Sequence, residues 1–84
     1  MHWVYVLRSR VNQNFYIGCT SDLEQRLKSH EAGEVRSTKA RRPLDLIYKE
    51  EYLDKYEAFK IERFYKTSRG KRLLKEKINN CRFV

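Results

Sequence analysis

The chain has 84 residues, and its 19 Lys and Arg residues against 11 Asp and Glu residues give a net charge of +8. This length fits one small domain over residues 1–84 and excludes two. No apolar run approaches the roughly 18 residues of a membrane span, and the N-terminus lacks the order of a signal peptide, so we expect a cytoplasmic protein. Although 36% of the residues are charged, 13% are aromatic and apolar residues recur periodically, which indicates a folded chain.

Two short apolar runs near the N-terminus predict a β-hairpin. Residues 3–7 are apolar on both alternating faces, which is typical of a strand covered on both sides, and residues 14–18 form the second run. A turn centred near Arg10 and Val11 would place Tyr5 opposite Tyr16, so that two phenols stand side by side on one face. A register shift of one residue would separate them.

The next segment predicts a helix with two polar residues at the edge of its apolar stripe. Ser21 and Glu24 form a capping box, and the helix is expected to run to about residue 32, where Gly33 ends it. On this helix Arg26 and His30 lie one turn apart and share one face.

The rest of the chain predicts a third strand and two more helices. Residues 44–52 form the strand, Asp54 caps a helix over residues 55–66, and a last helix covers residues 69–78. On the second helix Glu62 takes a core-facing position. The order β-β-α-β-α-α predicts an α+β domain in which three helices flank a three-stranded antiparallel sheet.

The positive charge is concentrated in the C-terminal third, where residues 55–84 hold ten basic and three acidic residues. A compact basic segment over residues 36–42 precedes it. Arginine side chains can bind phosphate through two parallel hydrogen bonds, which favours a nucleic acid as the partner. A membrane surface is less favoured, because no predicted helix combines a basic face with a face of bulky apolar residues. The predicted nucleic-acid contacts are Arg36, Lys39, Arg41, Arg42, Lys66, Arg69, Lys71 and Arg72.

The positions of five polar residues are poorly explained by fold stability alone: Tyr5, Tyr16, Arg26, His30 and Glu62. Each has an ordinary explanation by itself, as a boundary aromatic, a helix-edge residue or, for Glu62, half of an ion pair with an arginine such as Arg26. Together they provide what phosphodiester hydrolysis requires, namely an activated water, positive charge at the phosphate oxygens and assistance to the leaving oxygen. The single inward carboxylate, Glu62, predicts one bound Mg²⁺ or Mn²⁺ rather than two ions.

The order of these motifs along the chain resembles the GIY-YIG nuclease domain, and in particular its small stand-alone bacterial members. The matching residues are Trp3-Val4-Tyr5, Tyr16-Ile17-Gly18, Thr20, Asp22-Leu23, Arg26, His30 and Glu62. Trp3 stands where the first motif of the family has glycine. The loop over residues 36–42 offers no counterpart to the second histidine of some relatives, and no separate DNA-recognition domain follows.

The resemblance implies a role for each of the five polar residues. Tyr5 would deprotonate or orient the attacking water, with Tyr16 and His30 assisting in the proton network. Arg26 would stabilise the charge that develops on the phosphate, and Glu62 would bind the single divalent ion.

Three hypotheses follow from the sequence. The first is a metal-dependent endonuclease that acts on nucleic acid, with DNA favoured over RNA, in DNA repair or processing. The second is a non-catalytic nucleic-acid-binding module, and the third is a small basic protein whose tyrosines and Glu62 only pack. We expect a monomer or weak homodimer, located at the nucleoid when bound to DNA, with Cys19 and Cys81 as free thiols.

Overall fold

A computed structural model describes residues 1–80 of the chain. Its elements are β1 His2–Ser9, β2 Phe15–Thr20, α1 Leu23–Glu31, β3 Leu44–Tyr52, α2 Lys55–Tyr65 and α3 Ser68–Asn80, with a short 3-10 helix at Lys39–Arg41. The predicted α+β class, three-stranded antiparallel sheet and element order are confirmed. None of the described helices is long and apolar enough to cross a membrane. The prediction for Cys81 falls outside the described residues.

The sheet has the order β2-β1-β3, so β1 lies in the centre. All four of its middle residues are buried, as the apolar character of both faces predicts: Val4, Tyr5, Val6 and Leu7. Because successive side chains alternate, Val4 and Val6 point to one face and Tyr5 and Leu7 to the other. We call these the α2 face and the α1 face, after the helices that cover them.

The hydrophobic core lies on the α2 face. Val4, Val6 and Ile17 pack there with Ala58 of α2 and Leu74 of α3. Burying a valine, leucine or isoleucine side chain contributes about 1.5 to 3 kcal/mol, so this layer stabilises the packing of α2 and α3 on the sheet.

The hairpin register differs from the prediction. Tyr5 pairs with Gly18, and Tyr16 pairs with Leu7, because the turn is centred one residue later than expected. Gln13 adopts a positive φ of 65°, and the hydroxyl of Ser9 accepts hydrogen bonds from the backbone of the loop, which together hold a longer turn. The pairing therefore shifts by two residues. Since side chains alternate with a period of two, both tyrosines stay on the α1 face.

The capping box at the start of α1 was predicted one residue too early. Asp22 is the N-cap, and its carboxylate accepts a hydrogen bond of 3.1 Å from the backbone N–H of Gln25, so Ser21 does not cap the helix. A charged carboxylate also interacts more favourably with the positive helix N-terminus than a hydroxyl does. The predicted stop is confirmed, because α1 ends at Glu31 and Gly33 has a φ of +76°.

A cluster on the α2 face ties α3 to β3. The carboxylate of Glu50 accepts hydrogen bonds from the hydroxyls of Tyr48, Tyr52 and Tyr65 at 2.7 to 2.9 Å and from Lys77 at 3.0 Å. Burial by itself would raise the pKa of Glu50, but these four donors outweigh it and lower that pKa. The cluster thus holds a charged carboxylate that links two elements distant in sequence.

Candidate active site

The site begins with the close approach of Tyr5 to Gly18 across the hairpin. A Cβ added to Gly18 would lie 2.9 Å from Cε1 of Tyr5 and even closer to its hydroxyl oxygen. Such separations are not sterically allowed, so only glycine leaves room for the phenol of Tyr5 beside the neighbouring strand. The last residue of the Tyr16-Ile17-Gly18 motif therefore positions the tyrosine of the first motif.

The Tyr5 hydroxyl joins two residues of α1. It lies 3.0 Å from Nε2 of His30, and Arg26 donates a hydrogen bond to it from Nε at 3.3 Å. The predicted spacing of Arg26 and His30 thus brings both to the same phenol. Burial raises the pKa of Tyr5 above its usual value, and the hydrogen bond from Arg26 only partly opposes this effect, so the phenol keeps its proton at neutral pH.

The other nitrogen of His30 is held by a buried threonine. Nδ1 lies 2.7 Å from the hydroxyl of Thr38, which itself donates to the carbonyl of Val35 at 3.4 Å. With its proton used in this way, Thr38 accepts from Nδ1–H, and Nε2 is left to accept the proton of Tyr5. Burial, with the nearby charge of Arg26, lowers the pKa of His30, which keeps the ring neutral.

Tyr16 completes an aromatic group around the histidine. Its ring centroid lies 5.1 Å from that of His30 and 6.4 Å from that of Tyr5. These distances match favourable edge and tilted contacts between aromatic rings. Both phenols lie beside the guanidinium of Arg26, and they raise its pKa, so it stays charged.

The sequence predicted a core-facing position for Glu62, but its side chain is only half buried. Its side chain is 20% exposed, and Oε1 forms an ion pair of 3.0 Å with Lys66 one turn later on α2. This pair takes the place of the alternative in which Glu62 pairs with an arginine such as Arg26, because i and i+4 residues are direct neighbours on a helix. The charge of Glu62 still reaches the sheet, where it contributes to the raised pKa values of Tyr5 and Cys19.

Four of the five predicted residues, Tyr5, Tyr16, Arg26 and His30, come into contact, and Glu62 acts on them through its charge. By depth, the five divide into two layers. Tyr5 and His30 are 0% and 1% exposed and form the inner layer with Thr38. Tyr16, Arg26 and Glu62 are only half buried and form the outer layer. Only the outer layer can meet a ligand directly without rearrangement.

The donor set fits one hard divalent cation. Among residues 1–80 no three His, Cys, Asp or Glu side chains gather into a group that could hold a metal by themselves, which leaves Glu62 as the carboxylate of the outer layer. Mg²⁺ is typically bound by one or two carboxylates, while waters and substrate phosphates complete its shell. Glu62 would hold the ion, and the exposed Lys66 would have to release Oε1.

The basic residues predicted to contact nucleic acid divide among different surfaces. Lys66 lies beside Glu62, whereas Arg41 and Lys71 line a cleft with Phe15 on the α2 face. Arg42 is engaged within the fold, because its guanidinium donates to the backbone carbonyls of Lys39 and Glu31. The remaining predicted contacts are exposed: Arg36, Lys39, Arg69 and Arg72.

Sequence reasoning missed Thr38 and Glu50. A threonine inside a basic loop carries no local signal that it reaches the histidine of α1. Glu50 did carry one, because Tyr48, Glu50 and Tyr52 alternate along β3 and must share a face.

Comparison with known proteins gives four consistent matches. The model of the GIY-YIG catalytic domain matches residues 1–79. The UPF0213 protein YazA of Bacillus subtilis is 37% identical over 84 residues, covering 96% of this chain and 84% of that protein. The UPF0213 protein OB0043 of Oceanobacillus iheyensis is 40% identical over 62 residues, covering 73% and 71%. The solution structure of the UPF0213 protein BH0048 of Bacillus halodurans superposes with a TM-score of 0.57 at 31% identity, covering 89% of this chain and 82% of that one.

Proposed function

The chain belongs to the GIY-YIG family, a nuclease-type superfamily, and we propose that it is a metal-dependent endonuclease that hydrolyses phosphodiester bonds in nucleic acid. The observation that carries the proposal is the convergence of Arg26 and His30 on the hydroxyl of Tyr5, whose phenol also feels the charge of the half-buried Glu62. The net charge of +8 supports a polyanionic substrate, and we propose DNA ahead of RNA.

The outer layer meets the substrate. Arg26 binds the scissile phosphate and stabilises the charge that develops on its oxygens, since its guanidinium is charged and partly exposed. Glu62 holds the divalent ion. When bound, that ion supplies a more acidic water and further positive charge at the phosphate. The half-buried phenol of Tyr16 orients the attacking water.

The inner layer positions the outer one. Tyr5 has no exposed surface and a raised pKa, which favours orientation of Arg26 over removal of a proton from water. Its hydroxyl accepts from Arg26 and donates to His30, and Thr38 fixes the ring. Such a chain of hydrogen bonds holds the guanidinium in one direction before the substrate arrives, which lowers the cost of reaching the transition state.

The test is cleavage of plasmid, single-stranded, flap, junction and RNA substrates in Mg²⁺, Mn²⁺ or EDTA. We expect the wild type to cut in either metal and not in EDTA. Glu62→Gln should abolish cutting and retain binding, because it removes the charge that holds the ion. Glu57→Gln is the matched control, since this exposed glutamate lies on the same helix but points away from the site.

Two results would contradict the proposal. Equal cutting by Glu62→Gln would remove the carboxylate from the chemistry. Binding without cutting of every substrate would favour the non-catalytic module.

A further inference from the structure

The solvent side of α2 carries an unusual combination of side chains. With about 100° of rotation per residue and Glu62 at the origin, the sector between about 20° and about 160° contains six residues. All six are exposed: Lys55, Tyr56, Phe59, Lys60, Arg63 and Lys66. We call this sector the α2 platform.

Two aromatic residues of the platform have no function in the core. Tyr56 is 73% exposed and Phe59 is 42% exposed, while α2 packs on the sheet through Ala58, Ile61 and Tyr65. Tyr56 and Phe59 are three residues apart, so their rings are neighbours on the helix surface. Lys55 places its Nζ 5.6 Å from the centroid of the Tyr56 ring. The platform thus offers aromatic surface together with positive charge.

The platform begins at the proposed active site. Phe59 precedes Glu62 by three residues and Lys66 follows it by four, and both spacings bring side chains into contact on a helix. Lys66 already pairs with Glu62 at 3.0 Å. A ligand bound at Glu62 and extended outward along α2 would reach Phe59 first and Tyr56 next.

The charge of the platform selects an anionic occupant. Its four cations outnumber the two acidic side chains at its edges, where Glu62 pairs with Lys66 at 3.0 Å and Glu57 lies about 60° beyond Lys60. A second copy of the chain would bring four more cations against these, which disfavours self-association through this surface.

We propose that the α2 platform binds an unpaired stretch of the nucleic acid beside the scissile phosphate, with bases stacked on Phe59 and Tyr56. Lysine and arginine hold the backbone, as in proteins that bind single strands by stacking and charge. Bases inside a duplex are already stacked and cannot cover these rings. The inference rests on the proposed function, because it makes the substrate a strand that is single at the cut, such as a flap or a loop.

The experiment separates binding from cleavage. Binding of a labelled single-stranded oligonucleotide and of the matching duplex is measured by fluorescence anisotropy in EDTA, for the wild type, Tyr56→Ala and Phe59→Ala. Each substitution should weaken single-strand binding by about 5-fold to about 100-fold and leave duplex binding unchanged. Val11→Ala is the matched control, because Val11 is an exposed apolar residue on the hairpin, away from α2.

A second measurement needs no variant. A single strand with 5-iodouracil crosslinks on irradiation to aromatic rings on which it stacks, and trypsin should release residues 56–60 as one peptide that holds both rings. Crosslinking to this peptide supports the proposal.

Several outcomes would contradict the proposed role of the α2 platform without contradicting the proposed nuclease activity. These are unchanged single-strand binding in both variants, equal losses for single strand and duplex, or crosslinks that map elsewhere. Dimers that dissociate in Phe59→Ala would assign the surface to a second copy. The proposed nuclease fails separately, if the wild type cuts nothing in Mg²⁺ or Mn²⁺.

Discussion

The phenol of Tyr5 lies directly over Gly18, its partner across the hairpin, at a distance that admits no Cβ. Tyr5 of the first motif can therefore take this position only because the last residue of the second motif, Gly18, has no side chain. This contact also explains how a buried tyrosine can reach Arg26 and His30 on α1 without displacing the strand beside it.

Gly18→Ala should therefore displace Tyr5 and abolish cleavage. Overpacking of this kind costs about 1 to 3 kcal/mol of unfolding free energy, measured by urea denaturation. Gly33→Ala is the control, because its φ of +76° makes alanine unfavourable there, while the added Cβ would meet Arg42 and not Tyr5. Both variants should lose stability, but only Gly18→Ala should lose activity. Full cleavage by Gly18→Ala would show that the position of Tyr5 does not matter.

Thr38→Val should weaken the inner layer without changing its shape. The substitution leaves Nδ1–H of His30 buried without an acceptor, which costs about 1 to 3 kcal/mol. Because the ring is then free to turn, kcat should fall while KM stays near the wild-type value. Thr38→Ser keeps the hydroxyl and should restore both quantities. A kcat equal to the wild type in Thr38→Val would exclude Thr38 from positioning His30.

The buried His30 should make stability depend on pH. Burial lowers the pKa of His30 in the folded chain, whereas the pKa of an exposed histidine in the unfolded chain is about 6.5. The unfolded state therefore takes up protons first, so stability is complete above about pH 6.5 and falls as the pH drops toward the folded pKa. Urea denaturation between pH 8 and pH 5 should show this decline in the wild type, and a smaller one in His30→Gln. An equal decline of stability with pH in the wild type and in His30→Gln would contradict this role of His30.

Glu50→Gln should destabilise the protein without touching the site. The amide cannot accept all four hydrogen bonds that the carboxylate accepts, and the loss should be about 3 kcal/mol at pH 7. The pKa of Glu50 is lowered in the fold, so its contribution is present above the unfolded pKa of about 4.3 and is lost as the pH falls through the folded value. The exposed neighbour Glu51→Gln is the control, and an equal loss there would refute the role of the cluster.

Lys66→Met should strengthen metal binding at Glu62. The ion pair competes for Oε1, and a pair this exposed contributes at most about 1 kcal/mol, so the Mn²⁺ concentration for half-maximal cleavage should fall by up to about fivefold. Lys28→Met removes an exposed helical pair with Glu24 that points about 160° away from Arg26 and His30 on α1, and it should change nothing. A higher metal requirement in Lys66→Met would show that Lys66 does not compete with the ion for Glu62.

The sequence by itself determined which elements form and which face each side chain takes, because alternation and helical periodicity are local properties. Tyr5 and Tyr16 share a face even though their predicted pairing was wrong, since the register moved by two residues and the side-chain period is two. Arg26 and His30 meet the same phenol for the comparable reason that they lie one helical turn apart.

Only the tertiary structure decided the contacts between elements. Thr38 reaches His30, Gly18 admits Tyr5, and Glu50 gathers Tyr65 and Lys77 from two helices, because chain segments far apart in sequence pack at particular distances and angles. Periodicity gives the direction of a side chain but neither its depth nor its partner. For that reason Glu62 was correctly turned toward the sheet and wrongly placed in the core, where a carboxylate without compensating hydrogen bonds would be too costly.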